Sequence, residues 1–295
     1  MFFRTDLALE LKESGHAQLT QAPCETIEKN RCIINRITVT ENIAETGTAP
    51  GEYVTIEMPS LSDAVDENNQ CLDVVAEELS RFIPSQGEVL VAGLGNASIT
   101  PDALGMRVIE QILATRHVNK ELARITGVDE LRAVAAVSTD VLGNTGVETA
   151  EILQGLVRQL KPDAVIVIDA MAARNLGRLG KTIQLSNGGI APGSGVGNHR
   201  PRIDQDLLGV PVISIGVPTV VDAATVALDL LGGHALNDDE KQTAREIVSP
   251  NGTAMFVTPR EIDLLIQRGA RMIGMAINTS LNPCFSPEDF ELLTK

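Results

Sequence analysis

Several mainly apolar runs in this chain lack the apolar–polar alternation of a half-exposed strand, and each leads into an aspartate. Val89–Ala92 exits through Gly93-Leu-Gly95 toward Asp102, Ala133–Thr139 meets Asp140, and Ala164–Ile168 meets Asp169. Val212–Val221, with its Gly-Val-Pro turn, meets Asp222. Runs of this kind are strands buried on both faces, which calls for a largely parallel sheet with helices on both sides. After the glycine turn, Thr100-Pro101-Asp102 reads as a helix start. Thr is a good N-cap, Pro suits the first helical position, and an acid is favoured in the first turn. Asp102 then sits at the C-terminal end of a central strand, where open α/β sheets place their ligand crevices.

The rest of the chain fits that architecture. Ile33–Thr40 and Glu52–Met58 flank a Glu-Thr-Gly-Thr-Ala-Pro-Gly turn and predict an antiparallel hairpin. Leu72 to Ile83 has helical apolar spacing. Strands are expected at 88–93, 133–139, 163–169, 181–186 and 211–216. Helices are expected at 101–114, 147–160, 220–231, 238–247, 259–268 and 286–294. The fold class is therefore α/β: three layers, α/β/α, around a mostly parallel central sheet, plus a small N-terminal β-hairpin. One irregular stretch, Asn187 to Arg202, is rich in glycine, and an ordered loop of that length is usually functional.

Composition excludes several functions. The net charge of −15 repels phosphate backbones, and aromatics are only 2 % with no Trp, so direct nucleic-acid binding is not expected. No apolar run approaches the ~18 residues needed to span a bilayer, and no secretory signal opens the chain. Cys24, Cys32, Cys71 and Cys284 form no C-x-x-C pair, which suits a reducing cytoplasm. Gly93-Leu-Gly-Asn-Ala-Ser98 has Ser rather than Gly or Ala at its third position and lacks the ribose-binding acid of a dinucleotide fold, and Gly193-Ser-Gly-Val-Gly197 lacks the P-loop lysine. There is no G-x-S-x-G elbow and no H-E-x-x-H, and His16, His117, His199 and His234 lie far apart in sequence. No cofactor and no metal is expected.

Carboxylates remain. A charge at the mouth of a strand as apolar as Val165–Ile168 costs free energy unless it is paired or used. Two carboxylates at neighbouring strand ends can share a proton, one acting as base toward water and the other as acid. Asp102, at a helix N-terminus, is expected to ionise more easily, and Asp169 to hold the proton. The glycine loop is expected to border the cleft, with Asn96, Gly193, Gly195 and Asn198 against the substrate. Residue type alone leaves Asp140 and Asp222 either as groups that support the first pair from behind or as metal ligands beside it.

Several segments in the same order resemble the germination (spore) endopeptidases of spore-forming bacteria. They are Arg4–Glu10, Gly93–Asn96 with Thr100–Gly105, Gly146–Ile152, Lys161–Ala170, Pro192–Asn198 and Gly209–Ala223. The resemblance implies an α/β fold related to hydrogenase-maturation endopeptidases, and a catalytic aspartate pair falling on Asp102 and Asp169. It also implies a cytoplasmic homotetramer of the spore core, made as a self-processing zymogen. Its substrates would be small acid-soluble spore proteins, cut after an acidic and before an aliphatic residue. Thr5-Asp6-Leu7-Ala8-Leu9-Glu10 repeats that substrate pattern, so self-cleavage is expected between Asp6 and Leu7. Residues 1–6 would be a short pro-segment, accessible to a neighbouring molecule, and 7–295 a single peptidase domain. Two alternatives stand beside this reading: a metal-dependent peptidase of the hydrogenase-maturation type, and a non-catalytic regulatory protein on the same fold.

Overall fold

The computed structural model describes residues 5–43, 46–62, 69–118, 131–196, 200–231, 238–249, 253–286 and 289–290. The chain opens with α1 (Ala8–Glu13) and α2 (Ala17–Thr20), then β1 (Cys24–Lys29), β2 (Cys32–Val39) and β3 (Gly51–Glu57). Next come α3 (Asn69–Ser80), β4 (Val89–Gly93), α4 (Leu104–Ile109), β5 (Val134–Ser138), α5 (Leu142–Thr145) and α6 (Thr149–Leu160). The remainder is β6 (Ala164–Ala173), β7 (Thr182–Ser186), α7 (Gln205–Leu208), β8 (Val212–Asp222), α8 (Ala223–Leu230), α9 (Asp238–Val248), β9 (Phe256–Val257) and α10 (Ile262–Leu281).

The strands form one sheet in the order β1-β2-β3-β7-β8-β6-β4-β5, with β9 also paired to β8. Strands β8, β6, β4 and β5 are parallel, as the unalternating apolar runs require. From β8 outward through β7, β3, β2 and β1 every pairing is antiparallel. The predicted β2–β3 hairpin is therefore part of the main sheet rather than an appendage, and β1, which weak periodicity concealed, extends it.

Strand β6 shows why the layers are three. Ile166 and Ile168 point into a core with Leu79 of α3, Leu104 and Val108 of α4, and Ile273 and Ile277 of α10. Val165 and Val167 point the other way, toward Leu153 and Val157 of α6. Each fully buried side chain of this kind contributes roughly 1.5–3 kcal/mol of transfer free energy. A third cluster seats Ala8, Leu9 and Leu11 of α1 on Ile37, Val39 and Tyr53 of β2 and β3.

Elements α4, α10 and β8 differ in extent from the sequence expectation. The expected helix at 101–114 is a 3-10 turn, Thr100–Asp102, followed by the six-residue α4. The Asp102 carbonyl accepts the Asn96 N–H (3.0 Å), so it does not begin a helical ladder. Helix α10 runs to Leu281 rather than stopping near 268, and Met272 to Asn278 are all buried; an all-round apolar segment hides the 3.6-residue period. Strand β8 continues past Pro218, which sits at the irregularity in its pairing with β6 between Met171 and Ala172. Most of the expected 286–294 helix lies outside the described residues.

Candidate active site

The site forms where β4 leaves β6. Their pairing ends at Gly93 and Ile168, and the Leu94 N–H donates to the Ile168 carbonyl (2.8 Å) as the chain turns away. Strand β6 does not stop there. It runs on through Ala173 beside β8, so Asp169 is inside a strand, 5 % exposed, and not at its mouth as the sequence predicted. The apolar Ala170-Met-Ala-Ala173 after the acid explains the continuation.

Beyond Ile168, one edge of β6 has lost its partner strand, and carboxylates satisfy its N–H groups. Ala170 N–H donates to Asp169 Oδ1 (2.9 Å), and Ala172 N–H to Asp6 Oδ2 (2.9 Å). Arg174 N–H donates to Glu10 Oε2 (2.6 Å). The Asp6 N–H returns a bond to the Ala172 carbonyl (2.9 Å), so the N-terminal segment lies along this edge like an added strand. The Asp6 carboxyl also accepts from Ser194 Oγ (2.6 Å). Leu7 is fully buried in the α6-side core, and Ala8 is buried in the cluster on β2 and β3. The Asp6–Leu7 bond is thus folded into its own molecule, which corrects the expectation that a polar terminus leaves it open to a neighbour.

Asp102 and Asp169 line one cavity of about 560 Å³, together with Asn96, Gly193, Asp6 and Asp140. The 3-10 turn holds Asp102 in place. Gly95, at φ +98°, lets the Asp102 carbonyl approach so closely that a Cβ there would collide with it. Burial pushes Asp102 up to about 6; a hydrogen bond from Asn96 opposes this and the Asp140 charge adds to it. Asp169 is held well above the usual carboxylate range, by burial first and then by the Asp102 and Asp6 charges. For Asp102 the expected helix-dipole benefit is overruled by desolvation, since one 3-10 turn offers little dipole. Burial also raises Asp6, against bonds from Ala172, Ser194 and Gly195.

Among the other expected residues, Asn96 turns its Oδ1 onto the Ser98 N–H (2.9 Å) and shapes the turn. Gly195 is buried against the Asp6 carboxylate rather than lining the large cavity, and a Cβ would strike that group. Asn198 lies outside the described residues. Asp222 caps α8 through Ala224 N–H (2.7 Å). Asp140 Oδ1 accepts from Val141 N–H (2.8 Å) and Asn144 Nδ2 (2.9 Å), which supports its left-handed backbone. Among the described residues no three His, Cys, Asp or Glu side chains gather closely enough to hold a metal ion.

Sequence reasoning missed Ser194, Gln184 and the ion network of Arg178. Arg178 reaches Glu10 (3.4 Å), Glu13 (2.7 Å) and Glu57 (3.6 Å), tying α1 to the sheet. A signal for Gln184 existed. Thr182-Ile-Gln-Leu-Ser186 is a short strand whose polar residues alternate, yet all five residues are buried, so those polar groups need internal partners.

Comparison with known proteins places this arrangement. The family model described as germination protease matches residues 6–233. The germination protease of Caldanaerobacter subterraneus subsp. tengcongensis is 42 % identical over 317 residues, covering 98 % of this chain and 97 % of that protein. That of Clostridium perfringens (strain SM101 / Type A) is 37 % identical, covering 97 % of each chain. That of Bacillus subtilis (strain 168) is 37 % identical over 350 residues, covering 97 % of this chain and 95 % of its own. A solved [NiFe] hydrogenase maturation protease, HycI from Thermococcus kodakarensis, aligns at TM-score 0.39 and 18 % identity over 69 % of this chain and 98 % of that one, too loosely to argue from. The α/β chain with its carboxylate-lined cavity is a peptidase. It belongs to the germination protease family. Among the described residues no helix is long and apolar enough to cross a membrane.

Proposed function

We propose that the chain is an endopeptidase in which Asp102 and Asp169 activate water, and that it first cuts itself between Asp6 and Leu7. The observation that carries this reading is the shared cavity. It holds two carboxyls that burial raises, Asp169 further so by the Asp102 charge, and the Asp6 segment is laid against the same strand edge. One carboxylate takes a proton from water as its oxygen attacks the Asp6 carbonyl carbon. The other gives a proton to the Leu7 nitrogen as the C–N bond breaks. Neutral donors around the Asp6 carboxyl, Ser194 Oγ and Ala172 N–H, support selection of an acid before the cut. The apolar surroundings of Leu7 support an aliphatic residue after it.

The family resemblance makes the external substrates small acid-soluble spore proteins, met in the cytoplasm of the forespore or spore core. It also makes the working form a homotetramer, produced as a zymogen with residues 1–6 as pro-segment. The test is cleavage of a purified small acid-soluble spore protein, with and without a chelator. Cutting after acids that survives chelation is expected. Loss on chelation would favour the metal-dependent alternative, and no cutting under any condition would favour the regulatory one.

A further inference from the structure

Gln184, 2 % exposed on β7, sends its carboxamide to both sides of the Asp6–Leu7 bond. Its Nε2 donates to the Asp6 carbonyl (3.0 Å), and its Oε1 accepts the Ala8 N–H (2.8 Å). Ala8 is the first residue of α1, where backbone N–H groups have no partner within the helix. That N–H can only donate, so it fixes which end of the amide is oxygen and turns the NH₂ end toward the Asp6 carbonyl. Gln184, Asp6 and Asp169 also border one small cavity of about 60 Å³. In this measure a water takes about 10–15 Å³, so a nucleophilic water fits among them.

We propose that Gln184 is a catalytic residue: its Nε2–H stabilises the oxyanion that forms on the carbonyl of the bond being cut. This rests on the reading that Asp6–Leu7 is cleaved. As water adds to the Asp6 carbon, the carbonyl π electrons move to oxygen, where the amide N–H meets them. When the C–N bond breaks, the electrons return and the Leu7 nitrogen leaves protonated. After the cut Ala8 remains in the chain and still holds Oε1. Nε2 is then released from the departed segment and free to receive the carbonyl of an external substrate.

The competing role is structural, capping α1 through Oε1, and Gln184→Glu separates the two. A carboxylate still accepts the Ala8 N–H, and a helix N-terminus favours it, but when ionised it has no donor for the Asp6 carbonyl. The measurement is intact-mass analysis of full-length chain over time, paired with cleavage of a synthetic peptide copying residues 1–13. Thermal unfolding confirms that each variant is folded. Gln184→Glu is expected to cut both about 100-fold more slowly once the pH is high enough to ionise its buried carboxyl, the loss typical of one oxyanion donor. Its deficit relative to wild type should shrink as acid restores a donating carboxyl. The deficit of Gln184→Met relative to wild type should be the same at every pH. Wild-type rates in a folded Gln184→Met, which has no donor at any pH, would overturn this proposal alone. Failure of the wild type to lose residues 1–6 or cut the peptide would overturn it together with the cleavage reading.

Discussion

At the scale of single residues, the site holds two acids where burial works against ionisation. A carboxyl raised in the folded state favours folding while it is neutral, below the unfolded value near ~3.9, and loses that contribution as pH rises through the folded value. For Asp102 the window runs from about 4 to about 6, the raised value. Asp102→Asn should therefore be more stable than wild type at pH 7, by about 1–2 kcal/mol, with the difference fading near pH 4. Asp169→Asn should gain stability in the same direction at neutral pH, because its carboxyl lies well above the usual range. Urea unfolding of the variants across pH checks both. Equal stability at pH 7 would mean that these acids are not strained by burial. Stability gained where function is lost is what a site held in an unfavourable state produces.

At the scale of elements, the glycine turn after β4 decides where Asp102 sits. Gly95→Ala puts a Cβ on the Asp102 carbonyl at a backbone angle, φ +98°, that alanine resists. It should cost about 1–3 kcal/mol and reduce cleavage much more than stability; thermal unfolding and the peptide assay together read this. The buried parallel strands and the Gly93–Gly95 exit were legible because β4 and β6 carry their evidence locally, in unbroken Val, Ile and Ala. The reach of β6 beyond Asp169 was not, since a charge inside a strand reads as its end. Gln184 and Ser194 were hidden for a different reason. Their partners Ala8 and Asp6 lie 176 and 188 residues away in sequence, and no local period encodes such pairing.

At the scale of the whole molecule, the segment from Thr5 through α1 is part of the fold. Arg178 links Glu10 and Glu13 of α1 to Glu57 of β3, and Glu10 is 2 % exposed. Removing the cation leaves a buried carboxylate without its counter-charge. Arg178→Ala should destabilise the protein by about 3–5 kcal/mol and make the first residues more sensitive to added protease. Urea unfolding and limited proteolysis would show it. Unchanged proteolysis at α1 would mean that the ion network does not anchor the segment. The same anchoring would hold α1 in place were the Asp6–Leu7 bond cut.

The central claim is that Asp102 and Asp169 act as one pair on a bond held in the same cavity. Intact-mass analysis of wild type, Asp102→Asn and Asp169→Asn, purified and incubated side by side, tests it most directly. Wild type should lose residues 1–6. Each variant should remain whole and cut the residue 1–13 peptide at less than about 1 % of the wild-type rate, because the members of a coupled unit fail together. Loss of residues 1–6 from folded Asp169→Asn at the wild-type rate would contradict the account.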